Sequence, residues 1–391
     1  MTEAAQRIHP CPSEASRFEA DIPAVCVQNH AANLMPLPNG DIGCVWFGGT
    51  QEGISDISIY FSRLAKDATC WTNPVKLSDD PTRSEQNPIL FPAPDGKLWL
   101  LYTAQKSGNQ DTAIVRYRIS DDNGESWGPI GTLFEKAGTF VRQPVVVLDN
   151  GDWLVPVFYC RTDPGEKWVG NNDISAVMIS TDQGKTWREY PVPDSVGCVH
   201  MNIEKMPDGS LFALFRSRWA DNIYSSRSPD NGRTWTPPQP TELPNNNSSV
   251  QFTRLANHHL AIVYNDISSA QATERRLSLY DEIEDDSDVP QKSQTTVELE
   301  PVSTGKRAFW GTPRAPMTLA ISEDNGKTWP YKRNLETGDG YCMSNNSEKQ
   351  INREFSYPSI KQGADGALHI AYTYWRQKIK YVRVTEDWVK G

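Results

Sequence analysis

The 391-residue sequence lacks any apolar run approaching the ~18 residues that a membrane-spanning helix needs. It also lacks a basic excess. Its 39 Lys and Arg stand against 49 Asp and Glu, a net charge of −10, which argues against nucleic acid or an anionic membrane as a main partner. The opening stretch, MTEAAQRIHPCPSEASRFEAD, has no hydrophobic signal segment, so a cytoplasmic location is expected. Paired cysteines are missing too: the seven are scattered and form no C-x-x-C pair, so neither a disulfide frame nor a zinc site is expected. No other metal or cofactor constellation is visible, and none is predicted. Helical patterning is sparse. What is abundant is 26 Gly, 28 Pro and 13 Trp, a composition that excludes a helical bundle and points to β-structure.

An octapeptide, Ser-x-Asp-x-Gly-x-Ser/Thr-Trp, occurs four times. Its aspartates are Asp122, Asp182, Asp230 and Asp324, and a degraded copy runs from Ser62 to Trp71. Each copy follows an alternating apolar segment, so each is predicted to be a hairpin turn. Asp caps turn amides, Gly supplies a positive φ, and Trp wedges between neighbouring sheets. A second punctuation series is independent of the first: Pro38-Asn39-Gly40, Pro94-Asp95-Gly96, Asn150-Gly151, Pro207-Asp208-Gly209, Asn257-His258 and Ala364-Asp365-Gly366. Each separates two apolar runs, which gives six hairpins. Four strands recurring roughly every ~45–60 residues make a propeller blade. The prediction is one all-β domain over residues 1–391: a six-bladed β-propeller of four-stranded antiparallel blades, the N-terminal segment closing the last. An insertion at about 268–312 interrupts blade five and carries the acidic run DEIEDDSD.

In such blades both series of turns lie on one face. The other connections, together with the starts of the inner strands, line the channel mouth on the opposite face, where a site is expected. The inner-strand starts offer His30, Gln86, Asn87, Arg142, His200, Glu204, Gln251 and Tyr357, the last before Pro358. The neighbouring loops offer Trp46, Glu52, Asp56, Tyr159 and Trp375. This inventory suits a carbohydrate, with planar donors for hydroxyls, aromatic faces for sugar rings and Arg for a carboxylate. Arg142 and Arg216 are the leading carboxylate binders, against the plainer reading of blade-to-blade ion pairs. Tyr357 reads as a nucleophile or proton donor, or as a core tyrosine. His30 and His200 read as general bases, and Asp56 or Glu52 as the acid or a loop cap. Arg161, Arg218 and Arg376 read as rim charges. The sequons at Asn246, Asn247 and Asn345 carry little weight without a secretory signal.

The octapeptide resembles the Asp-box of sialidases, and the similarity runs from about residue 24 to 385. It is carried further by GDIGCVWFGGTQEG (40–53), ISIYFSRL (57–64), NPILF (87–91), VRQPVVVL (141–148), LFRSR (214–218) and EFSYPSI (354–360). The chain is identified on these motifs as a member of the sialidase (neuraminidase)-like superfamily, in the bacterial and fungal branch of BNR-repeat propellers. That resemblance implies a glycoside hydrolase, with Arg142 and Arg216 on a substrate carboxylate and Tyr357 with Glu204 as the nucleophile pair. The sequence departs at the first blade. Gln28-Asn29-His30-Ala31 replaces the Arg-Ile-Pro entry, and Trp46-Phe47-Gly48-Gly49 the acid motif. Sialidase-like propellers also host lyases of uronic-acid glycans and rhamnose-releasing enzymes. For β-elimination, Arg216 would neutralise the carboxylate and His30 or His200 with Tyr357 would move the proton. A non-catalytic glycan-binding propeller is the remaining class. The expected partner is an acidic oligosaccharide or glycan, met by a monomer.

Overall fold

A computed structural model describes residues 6–163, 165–272 and 306–391. Six antiparallel sheets stand in a ring, each built from the centre outward in chain order. Blade one uses Gln28–Pro36, Ile42–Gly49, Ser58–Leu64 and Val75–Lys76. Blade two uses Arg83–Pro92, Leu98–Lys106, Asn109–Ser120 and Gly131–Phe134. In blade three the inner strand is split into Thr139–Phe140 and Val146–Val147, followed by Trp153–Tyr159, Ile174–Ser180 and Arg188–Pro191. Blade four holds Cys198–Lys205, Leu211–Ser217, Asn222–Ser228 and Gln239–Pro244. Blade five holds Gln251–Arg254, Leu260–Asn265, Met317–Ser322 and Tyr331–Glu336. Blade six has Phe355–Gln362, Leu368–Tyr374 and Lys378–Val384, and the chain's beginning completes it. Glu14–Ile22 pairs antiparallel with Lys378–Val384, with His9–Cys11 outside it.

The predicted fold is therefore the observed one, and the burial pattern explains it. Inner and second strands are packed on both faces and read as near-continuous apolar runs, whereas outer strands such as Arg188–Pro191 and Val75–Lys76 are short and largely exposed. Each gap between neighbouring sheets is filled by its own apolar cluster. Leu90 and Leu100 meet Phe61 between blades one and two, Phe212 meets Phe252 between four and five, and Trp71 meets Tyr381 between six and one. The four repeated turns are built alike. The serine Oγ accepts from the glycine N–H (2.7 Å at Gly124 and Gly184, 2.9 Å at Gly232 and Gly326), and the aspartate Oδ1 accepts from the amide four residues on. Asn123 and Gly124, at φ 58° and 90°, show why Asn and Gly suit adjacent positions of such a turn. All seven cysteines are free. Most of the blade-five insertion, 273–305, lies outside the described residues; its return limb from Lys306 is described.

Ring closure by Glu14–Ile22 has a direct test. Ile22 is fully buried between blades six and one, outside every repeat. Ile22→Ala is expected to lower the unfolding free energy by about 2–4 kcal/mol, as for other buried aliphatic truncations. Urea denaturation measures this, and an unchanged midpoint would rule out closure by this strand.

Candidate functional site

The inner strands of blades one, two, four and six share one irregularity. Their pairing slips between His30 and Asn33, Gln86 and Ile89, Val199 and Asn202, and Ser356 and Ser359. Each bulge holds one residue in the left-handed region: Ala31 (φ 61°), Asn87 (51°), His200 (54°) and Tyr357 (51°). For bulky side chains such a conformation costs about 1–3 kcal/mol and persists only where its surroundings hold it. The bulges turn Asn87, His200 and Tyr357 into one narrow cleft at the channel mouth.

Arg142 holds part of this backbone. Its Nη1 donates to Ala31 O (3.2 Å) and Ala32 O (3.1 Å), and its Nη2 to Ala32 O (3.1 Å), Tyr357 O (3.1 Å) and Pro358 O (3.2 Å). Its Nε reaches Ser249 Oγ at 3.2 Å. Burial lowers this guanidinium to about 10, so it stays cationic at neutral pH. The expectation that Arg142 binds a substrate carboxylate is corrected: its donors are committed to carbonyls, and it is not among the residues lining the cleft.

Arg216 is the cleft's central group. Its Nη1 donates to Tyr357 Oη at 2.7 Å and faces His200 Nε2 at 3.4 Å, and its Nε donates to Asn247 Oδ1 at 2.9 Å. Three further arginines surround it, each matched by a carboxylate. Arg218 meets Asp173 at 2.8 Å, Arg314 meets Glu354 at 3.0 Å, and Arg376 meets Glu354 at 2.8 Å and Glu52 at 2.5 Å. Burial would raise the Glu354 carboxyl, yet Arg314 and Arg376, with bonds from Cys342 and Ser356, bring it down to about 2. Among the described residues, Arg216 has no carboxylate partner. His30 and His200 are both held well below the ordinary 6.5, first by burial and then by the surrounding guanidiniums, so they are neutral at pH 7. His30 packs at a tilt against Tyr357 with ring centroids 4.3 Å apart, and its Nδ1 is hydrogen-bonded to Thr373 Oγ1 at 2.9 Å. The opposite wall is apolar, formed by Phe140, Phe158 and Trp310.

Of the residues singled out from sequence, Gln86, Asn87, His200, Arg216 and Tyr357 converge on the cleft, as does Glu52, with His30 packed behind Tyr357. Others lie elsewhere. Glu204 is four residues beyond His200, about 13 Å along an extended strand, beside Lys361 and Thr253, so it cannot act on Tyr357. Asp56 caps its own loop, accepting from Thr50 N (2.9 Å) and Thr50 Oγ1 (2.5 Å). Trp46 is buried and donates to Asn29 Oδ1 at 3.0 Å, which removes it as a sugar platform. Tyr159 gives its hydroxyl proton to Glu189 at 2.8 Å on blade three's far edge. Gln251 is buried in the ring, accepting from Ser359 Oγ and Ile360 N. Trp375 stacks on Tyr374 at the rim. The sequon residues Asn246, Asn247 and Asn345 are all buried.

The sequence reading missed Arg314 and set aside Arg218 and Arg376 as rim charges. Arg376 has a signal in hindsight. Trp375 and Arg376, both at φ 58°, are the two central residues of a tight hairpin on the mouth face, a conformation that disfavours such bulky residues. Arg314 follows the insertion, where spacing from the repeats is lost. Among the described residues, one group has metal-ligand spacing: His259, Glu323 and Glu386 on the turn face. The Lys390 ammonium already meets Glu323 at 2.5 Å and Glu386 at 2.7 Å, standing where a cation would.

The profile of the BNR repeat-like domain matches residues 40–370. A sialidase of Paraclostridium sordellii is 29% identical over 134 residues, 31% of this chain and 32% of its own length. A photosystem II assembly lipoprotein of Prochlorococcus marinus is 26% identical over 145 residues, 37% of this chain and 34% of its own. The chain thus spans about a third of the length of the curated relatives it matches. Among solved structures, Hadza microbial sialidase Hz136 superposes with a TM-score of 0.69 at 14% identity, over 95% of this chain and 69% of that one. The intramolecular trans-sialidase of Ruminococcus gnavus gives 0.64 at 13%, over 93% and 95%. A Dyadobacter fermentans protein of unknown function gives 0.66 at 17%, over 93% and 97%. At these identities the likeness establishes the fold.

Two measurements probe the site without a substrate. The unfolded chain takes up protons on its histidines below pH 6.5, whereas folded His30 and His200 resist them, so their contribution to stability is full above pH 6.5 and falls beneath it. Glu354 adds stability above its ordinary 4.5 that is lost as the pH drops toward 2. Because Glu85, raised to about 7 by burial, favours the folded state on mild acidification, the imidazoles are read directly by histidine side-chain NMR: His30 and His200 are expected to stay neutral well below pH 6.5, and protonation near 6.5 would contradict this. Arg142→Met leaves several buried carbonyls without a donor and is expected to cost at least about 3 kcal/mol in urea unfolding. A near-neutral result would remove its role as the tie beneath the site.

Proposed function

The chain belongs to the BNR repeat-like domain family and carries a sialidase-like propeller, and on that premise we propose that it is an enzyme cleaving a glycosidic bond beside a carboxylate in an acidic glycan. The observation that carries this reading is Arg216, a buried guanidinium bonded, among the described residues, to neutral groups alone. A buried charge without a counter-ion is costly, and an anionic ligand that fills the vacancy recovers that cost. A carboxylate on Arg216, flanked by Arg314 and Arg376, brings the carbon that bears it toward Tyr357 Oη. Phe140, Phe158 and Trp310 supply the apolar wall against which a sugar face packs.

Tyr357 Oη accepts from Arg216, so its own proton stays available for transfer. Two chemistries use this arrangement. In hydrolysis, as the superfamily resemblance implies, Tyr357 attacks the anomeric carbon while His200 takes the phenol proton; the glycosidic C–O bond breaks, that proton passes to the leaving oxygen, and water then cleaves the Tyr357–sugar bond and restores the phenol. In β-elimination, Arg216 neutralises a uronate carboxylate and the neutral His200 takes the α-proton at Nε2. The electron pair forms the C=C bond as the C–O bond to the leaving sugar breaks, and the Tyr357 phenol proton caps that oxygen. The specific observation favouring elimination as the second reading is that imidazoles flank Tyr357 and no carboxylate is bonded to its hydroxyl among the described residues.

The test is a panel of sialylated and uronate-containing oligosaccharides, followed by ultraviolet absorbance of unsaturated uronate alongside free sialic acid and reducing ends. Absorbance growth selects elimination, and released sugar without it selects hydrolysis. Binding without turnover across the panel would overturn the enzyme in favour of a glycan-binding propeller. Arg216→Ala is expected to lower turnover about 100-fold or more while circular dichroism stays unchanged. With His200 as the neutral base, the acid limb of the pH–rate profile is expected below 6.5.

A further inference from the structure

Arg216 can present a free edge to a substrate only if its plane is fixed, and the geometry points to Asn247 as the residue that fixes it. Asn247 is buried ahead of the inner strand of blade five, at φ 57°. Its side-chain oxygen accepts from Arg216 Nε at 2.9 Å, and its side-chain nitrogen donates to Phe309 O at 3.0 Å. Phe309 and Trp310 belong to the return limb of the blade-five insertion, which is itself pinned to the wall. Phe309 N donates to Arg218 O at 2.8 Å, and Trp310 Nε1 donates to Val169 O at 3.0 Å. The Trp310 ring centroid also lies 5.7 Å from the Arg216 guanidinium carbon.

A guanidinium is planar, so two anchored nitrogens determine where the third points. Asn247 takes Nε and Tyr357 takes Nη1, which leaves Nη2 for the ligand. An amide is the residue type this bridge needs, because it must accept from a cation and donate to a carbonyl at once. An aspartate would accept but not donate, and would neutralise the charge the substrate is to meet. Asn also tolerates the left-handed backbone. Asn247 is accordingly a positioning residue that joins the insertion's return limb to the carboxylate-binding arginine.

The catalytic consequence rests on the acidic-glycan reading above; the positioning itself does not, and the experiment separates the two. Asn247→Gly keeps the backbone conformation and removes the bridge, while Asn247→Asp keeps the shape and supplies a rival carboxylate. Arginine-selective 15N NMR reads the Arg216 Nε–H, assigned by its loss in Arg216→Lys. Its hydrogen exchange is expected to be slow in the wild type and about tenfold or more faster in Asn247→Gly. With the acidic oligosaccharide that the wild type turns over, Asn247→Gly is expected to lower kcat about 10-fold or more at little change in melting temperature. Asn247→Asp is expected to raise KM about 10-fold, a shift that loss of packing alone does not produce. Unchanged exchange in Asn247→Gly would overturn the positioning role, whatever the activity. Exchange that rises while kcat and KM stay at wild-type values would confine the bridge to folding and overturn its link to turnover.

Discussion

A ring of inner strands creates a problem that one buried cation largely solves. Strands converging on an axis present edge carbonyls and amides to the middle of the molecule, where no further strand can pair with them. Bulges in four of the six strands release still more of these groups. Arg142, from the broken inner strand of blade three, gathers carbonyls of Ala31, Ala32, Tyr357 and Pro358 and reaches Ser249 of blade five. It therefore ties blades one, three, five and six together at the axis. Side chains finish the task between neighbours: Ser359 accepts from Leu34 N, Gln251 from Ile360 N, and Asn202 from Phe252 N. The left-handed turn at Tyr357 is affordable because its carbonyl has this donor, and the position of the phenol follows from that turn.

Above this layer the electrostatics are set by how carboxylates are shared. Glu354 serves two arginines and Asp173 a third, so those guanidiniums are rigid and nearly compensated. Their residual positive potential has two effects. Added to burial, which comes first, it keeps His30 and His200 unprotonated, and it leaves Arg216 as the one cleft guanidinium whose charge no carboxylate among the described residues answers. The same surplus attracts an anion and provides neutral bases, two properties that a chain of net charge −10 does not advertise. Net charge describes the whole surface, whereas binding depends on the few groups that share a low-dielectric cleft.

What was legible in the sequence follows this division. The fold was readable because its devices are local and repeated: a serine, an aspartate, a glycine and a tryptophan within eight residues build a turn that needs nothing distant. Closure by the N-terminal strand was readable for the same reason, since six hairpins and one missing outer strand leave a single vacancy. Arg216 was readable from the mouth end of a second strand, and Gln86, Asn87, His200 and Tyr357 from their position at inner-strand entries. Arg142 had the same position and a different fate, because one bulge more or less decides whether a side chain enters the cleft or passes beneath it. Glu204 failed for a metrical reason, four residues of strand being too far. Arg314 and Glu354 were invisible because their roles exist only as a pair across blades.

The two faces of the ring thus carry different kinds of information. On the turn face the blades resemble one another, since each must solve the same problem of reversing a strand and filling a wedge-shaped gap. On the mouth face the bulged positions hold Ala31, Asn87, His200 and Tyr357, four different side chains on one backbone conformation. A symmetric scaffold so delivers an asymmetric site: the bulge fixes where a side chain emerges, and residue identity fixes what emerges there. Blade five breaks the pattern by sending in the return limb at Phe309 and Trp310, which forms a wall and, through Asn247, reaches Arg216. Chemistry at this mouth is therefore governed by a handful of non-repeated residues, and the repeats govern only that those residues meet.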